Sequence, residues 1–159
     1  MGNPVLRKTW VVPADLKSID QVCNDLQHWF TEQDLQAHLF VIEILVRESL
    51  NNAVIHGCNL DPSLQVHCEI QITENEICIK VADDGVGFNW RQIFSQGMVI
   101  NKEVHGRGLW LYYAYADFIG FNPCGSSVIL VRNLKTSGLS KDPSVSPLNF
   151  DRWSSETLL

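Results

Sequence analysis

Apolar residues along this chain change their period several times, and each change marks an element. Val5 to Val12 is a short β-rich run closed by Pro13. Ile19, Val22, Leu26, Trp29 and Phe30 then recur at the period of an amphipathic helix, with Ser18 standing as its N-cap. A second, longer helical pattern runs from about Leu35 to His56, where Gly57 stops it as a C-terminal glycine would. Asn59-Leu60-Asp61-Pro62 is turn chemistry.

Two strands follow, over about Leu64–Thr73 and Glu76–Ala82. In the first, Val66, Cys68, Ile70 and Ile72 alternate with Gln65, His67, Glu69 and Gln71; in the second, Ile77, Ile79 and Val81 alternate with Cys78 and Lys80. One face of each strand is therefore buried, as in an antiparallel sheet covered on one side. Asn75 between Glu74 and Glu76 predicts a tight hairpin joining them. From Asp83 to Gly108 no period is sustained and five glycines accumulate. Helical spacing resumes at Leu109, Tyr112, Tyr113, Ala116 and Ile119, ended by Gly120, and Ser126 to Leu134 is a last strand. The pattern is α+β, a two-layer α/β sandwich over residues 5–134. Lys135 to Leu159 is a Ser-rich tail with Pro143 and Pro147, in which Phe150, Trp153 and Leu158 are the residues that would dock.

Composition narrows this picture. At 159 residues the chain fits one domain with a real core, without a second sensor or substrate domain. Lys and Arg total 12 against 18 Asp and Glu, a formal net charge of −6 with no basic run, which argues against direct nucleic-acid contact. No apolar stretch is long enough for a membrane span, and Met1 to Thr9 has no secretory pattern. Cys23, Cys58, Cys68, Cys78 and Cys124 are scattered and never form C-x-x-C, so they read as buried thiols of a cytoplasmic protein.

Four short segments carry candidate chemistry. Glu48 and Asn52 lie four apart on the second helix, one turn apart on one face, and His56 continues that stripe. Leu39, Ile42, Val46, Leu50 and Ala53 form the opposite, core-facing stripe. The polar stripe is either a solvated helix face, or a general base beside an oxygen ligand for Mg²⁺, an ion that takes few protein oxygens and keeps several waters. Asp83-Asp84-Gly85-Val86-Gly87 follows directly on a strand. It is either a tight turn, or a carboxylate that accepts from an exocyclic amine with Gly85 and Gly87 letting backbone approach a flat ligand. Gly106-Arg107-Gly108 opens the third helix, where free N–H groups and the helix dipole make a phosphate cradle, although no Walker loop is present. Phe88 to Val104 between them is a mobile cover over a ligand or a long surface loop. Trp10, Trp29 and Trp110 read as packing residues.

The order of these segments is informative: E-x-x-x-N on a helix, a strand ending in D-x-G-x-G, G-x-G opening a helix, then Gly125-Ser126-Ser127 starting a strand. It resembles the Bergerat, or histidine kinase-like, ATP-binding fold of DNA gyrase B, histidine kinases and MutL, with its N, G1, G2 and G3 boxes. The helix E-S-L-N-N-A-V-I-H-G (Glu48–Gly57) followed by D-D-G-V-G-F (Asp83–Phe88) is most similar to the bacterial anti-sigma factor serine kinases. The resemblance covers roughly residues 5–134 and implies an antiparallel-rich mixed sheet. It implies Glu48 as catalytic base, Asn52 as the Mg²⁺ ligand, Asp83 as receiver of the adenine amino group, and Gly85 and Gly87 as shapers of the base pocket. Gly106, Arg107 and Gly108 would face the phosphates of ATP, and His56 would lie beside the nucleotide. Ser126 or Ser127 falls where the family often has a Thr near the adenine.

Such a protein transfers the γ-phosphate of ATP to a serine of a STAS-type anti-anti-sigma protein and sequesters a sigma factor. The alternative is a nucleotide-binding, partner-switching regulatory module with little or no kinase activity. A complete histidine kinase is not expected: His28 is followed by Trp29, His38 by Leu39, and only about 35 residues precede the ATP-binding helix. The first β segment is a candidate homodimer edge, with an ordinary edge strand as the other reading.

Overall fold

Alternation builds the sheet. In a computed structural model that describes residues 5–87 and 107–137, the strands are β1 (Leu6–Pro13), β2 (Gln65–Ile72), β3 (Glu76–Asp83), β4 (Phe118–Phe121) and β5 (Ser127–Asn133). They lie in the order β1-β2-β3-β5-β4, and all four ladders are antiparallel, so the mixed character expected of the sheet does not occur among the described strands. Register aligns the apolar faces: Cys68 opposes Val81, Ile70 opposes Ile79, and Ile79 opposes Leu130. A one-residue slip would turn that whole set to the wrong side.

The helices α1 (Leu16–Glu32), α2 (Gln36–Asn51) and α3 (Arg107–Tyr115) supply the second layer. Ile19, Val22, Leu26 and Phe30 of α1 and Ile42, Val46 and Leu50 of α2 are buried in one cluster with the inward residues of β2, β3 and β5. Each such side chain contributes about 1.5–3 kcal/mol relative to exposure. A second, small cluster, Ile129 and Val131 with Cys78 and Phe118 against it, forms on the other face of the sheet. β5 is thus apolar on both sides, while the outward positions Gln65 and His67 of β2 are exposed.

Four local expectations are corrected. The N-cap of α1 is Asp15, whose carboxylate accepts from the Ser18 N–H at 2.7 Å; Ser18 is the third helical residue and is buried. The long helix does not stay α-helical to His56. After Asn51 it widens into a π-helical segment, Asn52–Gly57, with Cys58 N–H donating five residues back to Ala53 C=O at 2.8 Å. The third helix ends at Tyr115, not Gly120, because Asp117 N–H donates to Val131 C=O at 2.7 Å and the following residues become strand β4. The spacing of Ala116, Ile119 and Phe121 suits either period, an ambiguity that only pairing with β5 resolves. The five cysteines are free thiols: three are buried, Cys78 is half-buried and Cys124 is exposed.

Other expectations hold. β2 and β3 form a hairpin across Glu74 and Asn75, with the Thr73 hydroxyl accepting from the N–H groups of Asn75 and Glu76 at 3.2 Å. Trp29 is buried and meets Trp10 edge-on at 6.2 Å, and Trp10 Nε1 donates to Asp25 at 2.7 Å. The loop Phe88 to Val104 and the tail beyond Ser137 lie outside the described residues. Among the described residues no helix is long and apolar enough to cross a membrane.

Candidate functional site

The end of α2 reaches the sheet at one place, and glycine makes that approach feasible. A Cβ on Gly57 would stand 2.4 Å from Asp83 Oδ2, and one on Gly85 would stand 1.9 Å from the Gly57 carbonyl oxygen. Val86 N–H donates to that same carbonyl at 3.2 Å. Gly87 has φ +74°, and a Cβ there would stand 2.1 Å from the Cys124 carbonyl oxygen. Three glycines therefore let the π-helical segment, the loop after β3 and the β4–β5 turn interlock at backbone distance. Gly57 and Gly85 thereby let the chain close around the Asp83 carboxylate, and Gly87 packs on the β4–β5 turn.

Asp83 closes β3. Its N–H donates to Ser126 C=O at 2.8 Å, and its Oδ1 accepts from Gly85 N–H at 2.9 Å. Burial pushes its carboxyl up to about 6 against the Gly85 hydrogen bond, which pulls the other way, with Asp84 adding a like charge. Asp84 itself turns to the outside, 3.8 Å from His67 Nε2.

Beside Asp83 lies a cleft of about 260 Å³, its open mouth included. Asn52, Ser49 and Ala53 from the helical layer line it, with Tyr112 of α3 opposite Val81 and Asp83 of β3. Phe121, Gly125, Ser126, Ser127 and Val128 complete the wall. The two serines differ. Ser126 Oγ accepts from Asn122 Nδ2 at 2.8 Å and contacts Cys124 Sγ at 3.1 Å. Ser127 is 5% exposed, and its Oγ has no hydrogen-bond partner among the described residues. The cleft wall thus includes a residue whose buried hydroxyl is available to bond a ligand group.

Glu48 stands one turn before Asn52, half-buried, and burial raises its carboxyl above the usual range while Arg47 opposes the shift. Asn52 and Tyr112 are joined by a hydrogen bond from Asn52 Nδ2 to Tyr112 Oη at 2.9 Å. Thus Asn52, Asp83, Ser126 and Ser127 meet at one cleft, Glu48 is adjacent to it, and Gly85 and Gly87 brace it. His56 lies in the π-helical segment outside the lining, half-buried and engaged by a partner. Arg107 and Gly108 open α3, whereas Gly106 lies outside the described residues.

A family model for the histidine kinase-like ATPase domain matches residues 12–132. The chain belongs to that family. Its anti-sigma factor branch is marked by relatives: anti-sigma F factors from two strains of Clostridium perfringens are 46% identical over 101 residues, 60% of this chain and 72% of theirs. An anti-sigma F factor of Shouchella clausii is 35% identical over 48 residues, 30% of this chain and 33% of that protein.

Membership in a histidine kinase-like ATPase family implies ATP binding, and the cleft fits the base end of such a nucleotide. It offers a seated carboxylate, an orphaned buried hydroxyl and apolar walls from Val81, Phe121 and Val128. Among the described residues no group of three His, Cys, Asp or Glu side chains stands ready for a metal. The Asn52 amide on the cleft wall has an oxygen of the kind that Mg²⁺ held largely by phosphates and water can use.

Sequence reasoning missed Gly57, read only as a helix stop, and also Tyr112, Ser49 and Asn122. Asn122 fixes the β4–β5 turn by donating to Ser126 Oγ and accepting from Ser127 N–H at 3.0 Å. The run Asn122-Pro123-Cys124-Gly125 carries a turn signal that would have found it. Nothing in the sequence singles out Tyr112 or Ser49, because both read as ordinary helix positions.

Proposed function

We propose that this chain is an ATP-dependent serine kinase and anti-sigma regulator, which phosphorylates a STAS-type anti-anti-sigma protein and sequesters a sigma factor. The observation that carries the reading is the convergence of Asn52, Asp83 and the unpaired Ser127 hydroxyl on one cleft, with Glu48 one helical turn away. Sigma-factor binding follows from the anti-sigma F factors it resembles.

Bound MgATP supplies a transferable phosphoryl group, and this chain's residues do the positioning that such chemistry requires. The Asp83 carboxylate receives the adenine amino group, and Ser127 Oγ, without a partner among the described residues, bonds the base beside it. Asn52 offers its carboxamide oxygen to the divalent cation. Gly106, Arg107 and Gly108, at and before the start of α3, attend the phosphates through helix-terminal N–H groups. Glu48 takes the proton of the incoming partner serine. A carboxylate made more basic by burial is better suited to that task than a solvated one. His56, outside the cleft lining, is kept for a contact at the nucleotide's edge. Strand β1, at the edge of the sheet among the described strands, with Val11 and the preceding Val5 each 51% exposed, is the surface proposed for a homodimer.

The competing proposal is a nucleotide-binding, partner-switching module without transfer. Incubation with radiolabelled MgATP and a STAS-domain partner decides between them: label on a partner serine, lost on Glu48→Ala, is the expected result. ATP binding without any labelled partner would favour the module. Labelling that survives Glu48→Ala would remove Glu48 as base.

A further inference from the structure

The outer face of the sheet, turned away from the helices, grows more buried strand by strand. On β1 the outward residues Arg7, Thr9 and Val11 are exposed. On β2 His67 is exposed, whereas Glu69 and Gln71 are half-buried, as are Cys78 and Lys80 of β3. On β5 Val131 and Ile129, opposite Cys78 and Lys80, are only 8% and 3% exposed. Side chains stand roughly perpendicular to a sheet, so neighbouring strands shield their flanks and leave their tips to solvent. An outward isoleucine this inaccessible needs a layer above it. The helices α1, α2 and α3 pack on the opposite face, and among the described residues the apolar side chains against Ile129 and Val131 are Cys78 and Phe118 of the same sheet.

Two long stretches of chain, 88–106 and 138–159, are candidates for that layer, and their anchor points differ. The first leaves from Gly87 beside the cleft and returns at Arg107, which opens α3 in the helical layer. The second leaves from the opposite end of β5. There Leu134 N–H donates to Asn75 C=O at 2.8 Å, and Thr136 Oγ1 donates to Asp117, the neighbour of Phe118, at 3.1 Å. Val131, Cys78 and Phe118 lie at that same end of the sheet. Composition agrees, since Leu148, Phe150 and Trp153 fall close together in the second stretch. Large aromatic side chains bury roughly 150–250 Å² each, enough to roof two β-branched residues. Residues 138–147 reach up to about 33 Å when extended, against about 4.8 Å between strands, so chain length is not limiting. We propose that residues 138–159 fold back over the outer face of β3, β5 and β4, with Phe150 and Trp153 seated on Ile129 and Val131. This packing leaves β1 uncovered.

Two cysteines make the test internal. Cys78 reports on the outer face, and Cys68, fully buried on the helix-facing side of β2, reports on the fold. Burial pushes the Cys78 thiol up to about 11, so little reactive thiolate forms while the face is covered. Alkylation by iodoacetamide, resolved for each cysteine by peptide mass spectrometry, is compared between the full chain and the full chain carrying both Phe150→Ser and Trp153→Ser. The expected result is Cys78 labelling faster by about tenfold or more in the variant, with Cys68 as slow as in wild type. Cys78 labelling that stays slow in a variant whose Cys68 is protected overturns the proposal and passes the role to residues 88–106. Wild-type protection of Cys78 that disappears on dilution also overturns it, since a second copy is then the cover. If Cys68 accelerates too, the variant has lost its fold and hydrogen exchange of wild type decides. Backbone amides of residues 148–158 that exchange at least about tenfold slower than in a free peptide of that sequence support the packing, and equal exchange overturns it.

Discussion

Two ends of one sheet are held together by different means. At the β1–β2 end, strands pair in register over eight residues each, Trp10 and Trp29 pack edge-on, and solvent-accessible ion pairs join Arg7 to Glu69 on the outer face and Lys8 to Asp25 on the helix side. At the β3–β5 end, the π-helical segment, the loop after Asp83 and the turn before β5 touch through backbone, with glycines at each contact. The first end consists of many interchangeable side-chain contacts, and each is individually weak. The second has few contacts, and its geometry admits almost no substitution. The candidate site sits at the second end because a half-buried, incompletely satisfied carboxylate needs a rigid surround to persist.

This contrast predicts a graded set of outcomes. Gly85→Ala should be the most damaging, since its Cβ would fall on the Gly57 carbonyl and the backbone must move. We expect a loss of about 3 kcal/mol or more by urea denaturation, with no measurable ATP binding. A wild-type-like denaturation curve for this variant would dissolve the distinction between the two ends.

Asp83→Asn should leave the fold intact yet weaken ATP binding by about a hundredfold, the scale of removing a charged hydrogen-bond partner. The raised pKa adds a sign. Protonation of Asp83 favours the folded chain, so its contribution to stability is fully present below the ordinary value of 3.8 and is lost as pH rises through about 6. Nucleotide binding should run the other way, weakening as pH falls through about 6, and Asp83→Asn should flatten that profile. Titrations of both proteins between acid and neutral pH check it.

The neighbouring serines sharpen the comparison. Ser127→Ala removes an unpaired buried hydroxyl, so stability should hold or rise slightly while ATP affinity falls about fivefold. Ser126→Ala breaks the bond from Asn122 and should cost about 1 kcal/mol of stability, with a smaller effect on binding. Calorimetry paired with thermal melts separates the two, and an exchange of these effects would reverse the assignment. At the far end, Arg7→Ala should cost less than about 1 kcal/mol and leave ATP affinity unchanged, because its ion pair with Glu69 is exposed.

Much of this was legible in sequence. The alternation of Val66 to Ile72 and of Ile77 to Val81 reveals buried strand faces, and the stripe from Ile42 to Ala53 reveals the core side of α2. Asn52, Asp83 and the pair Ser126–Ser127 were singled out by the order of their segments and the resemblance it carries, and the structure brings them to one cleft. What stayed hidden depends on contacts between distant segments. Widening of the helix at Asn52 leaves no local mark, and Gly57 looks like any helix-stopping glycine until Asp83 is placed beside it. Strand β4 was hidden because its few apolar residues fit two periods, and the pairing partner Val128–Val131 decides. Ser127 was separable from Ser126 only once Asn122 was seen to occupy the latter.

The central claim is that Asp83, seated by Gly57 and Gly85, reads the exocyclic amine of adenine. It is tested most directly by titrating wild type and Asp83→Asn with MgATP and with magnesium inosine triphosphate, whose base carries an oxygen in place of that amine. The account predicts that wild type prefers ATP by tenfold or more, about 1.4 kcal/mol, and that Asp83→Asn loses the preference. Equal affinity of wild type for the two nucleotides, or a preference that survives Asp83→Asn, would contradict it.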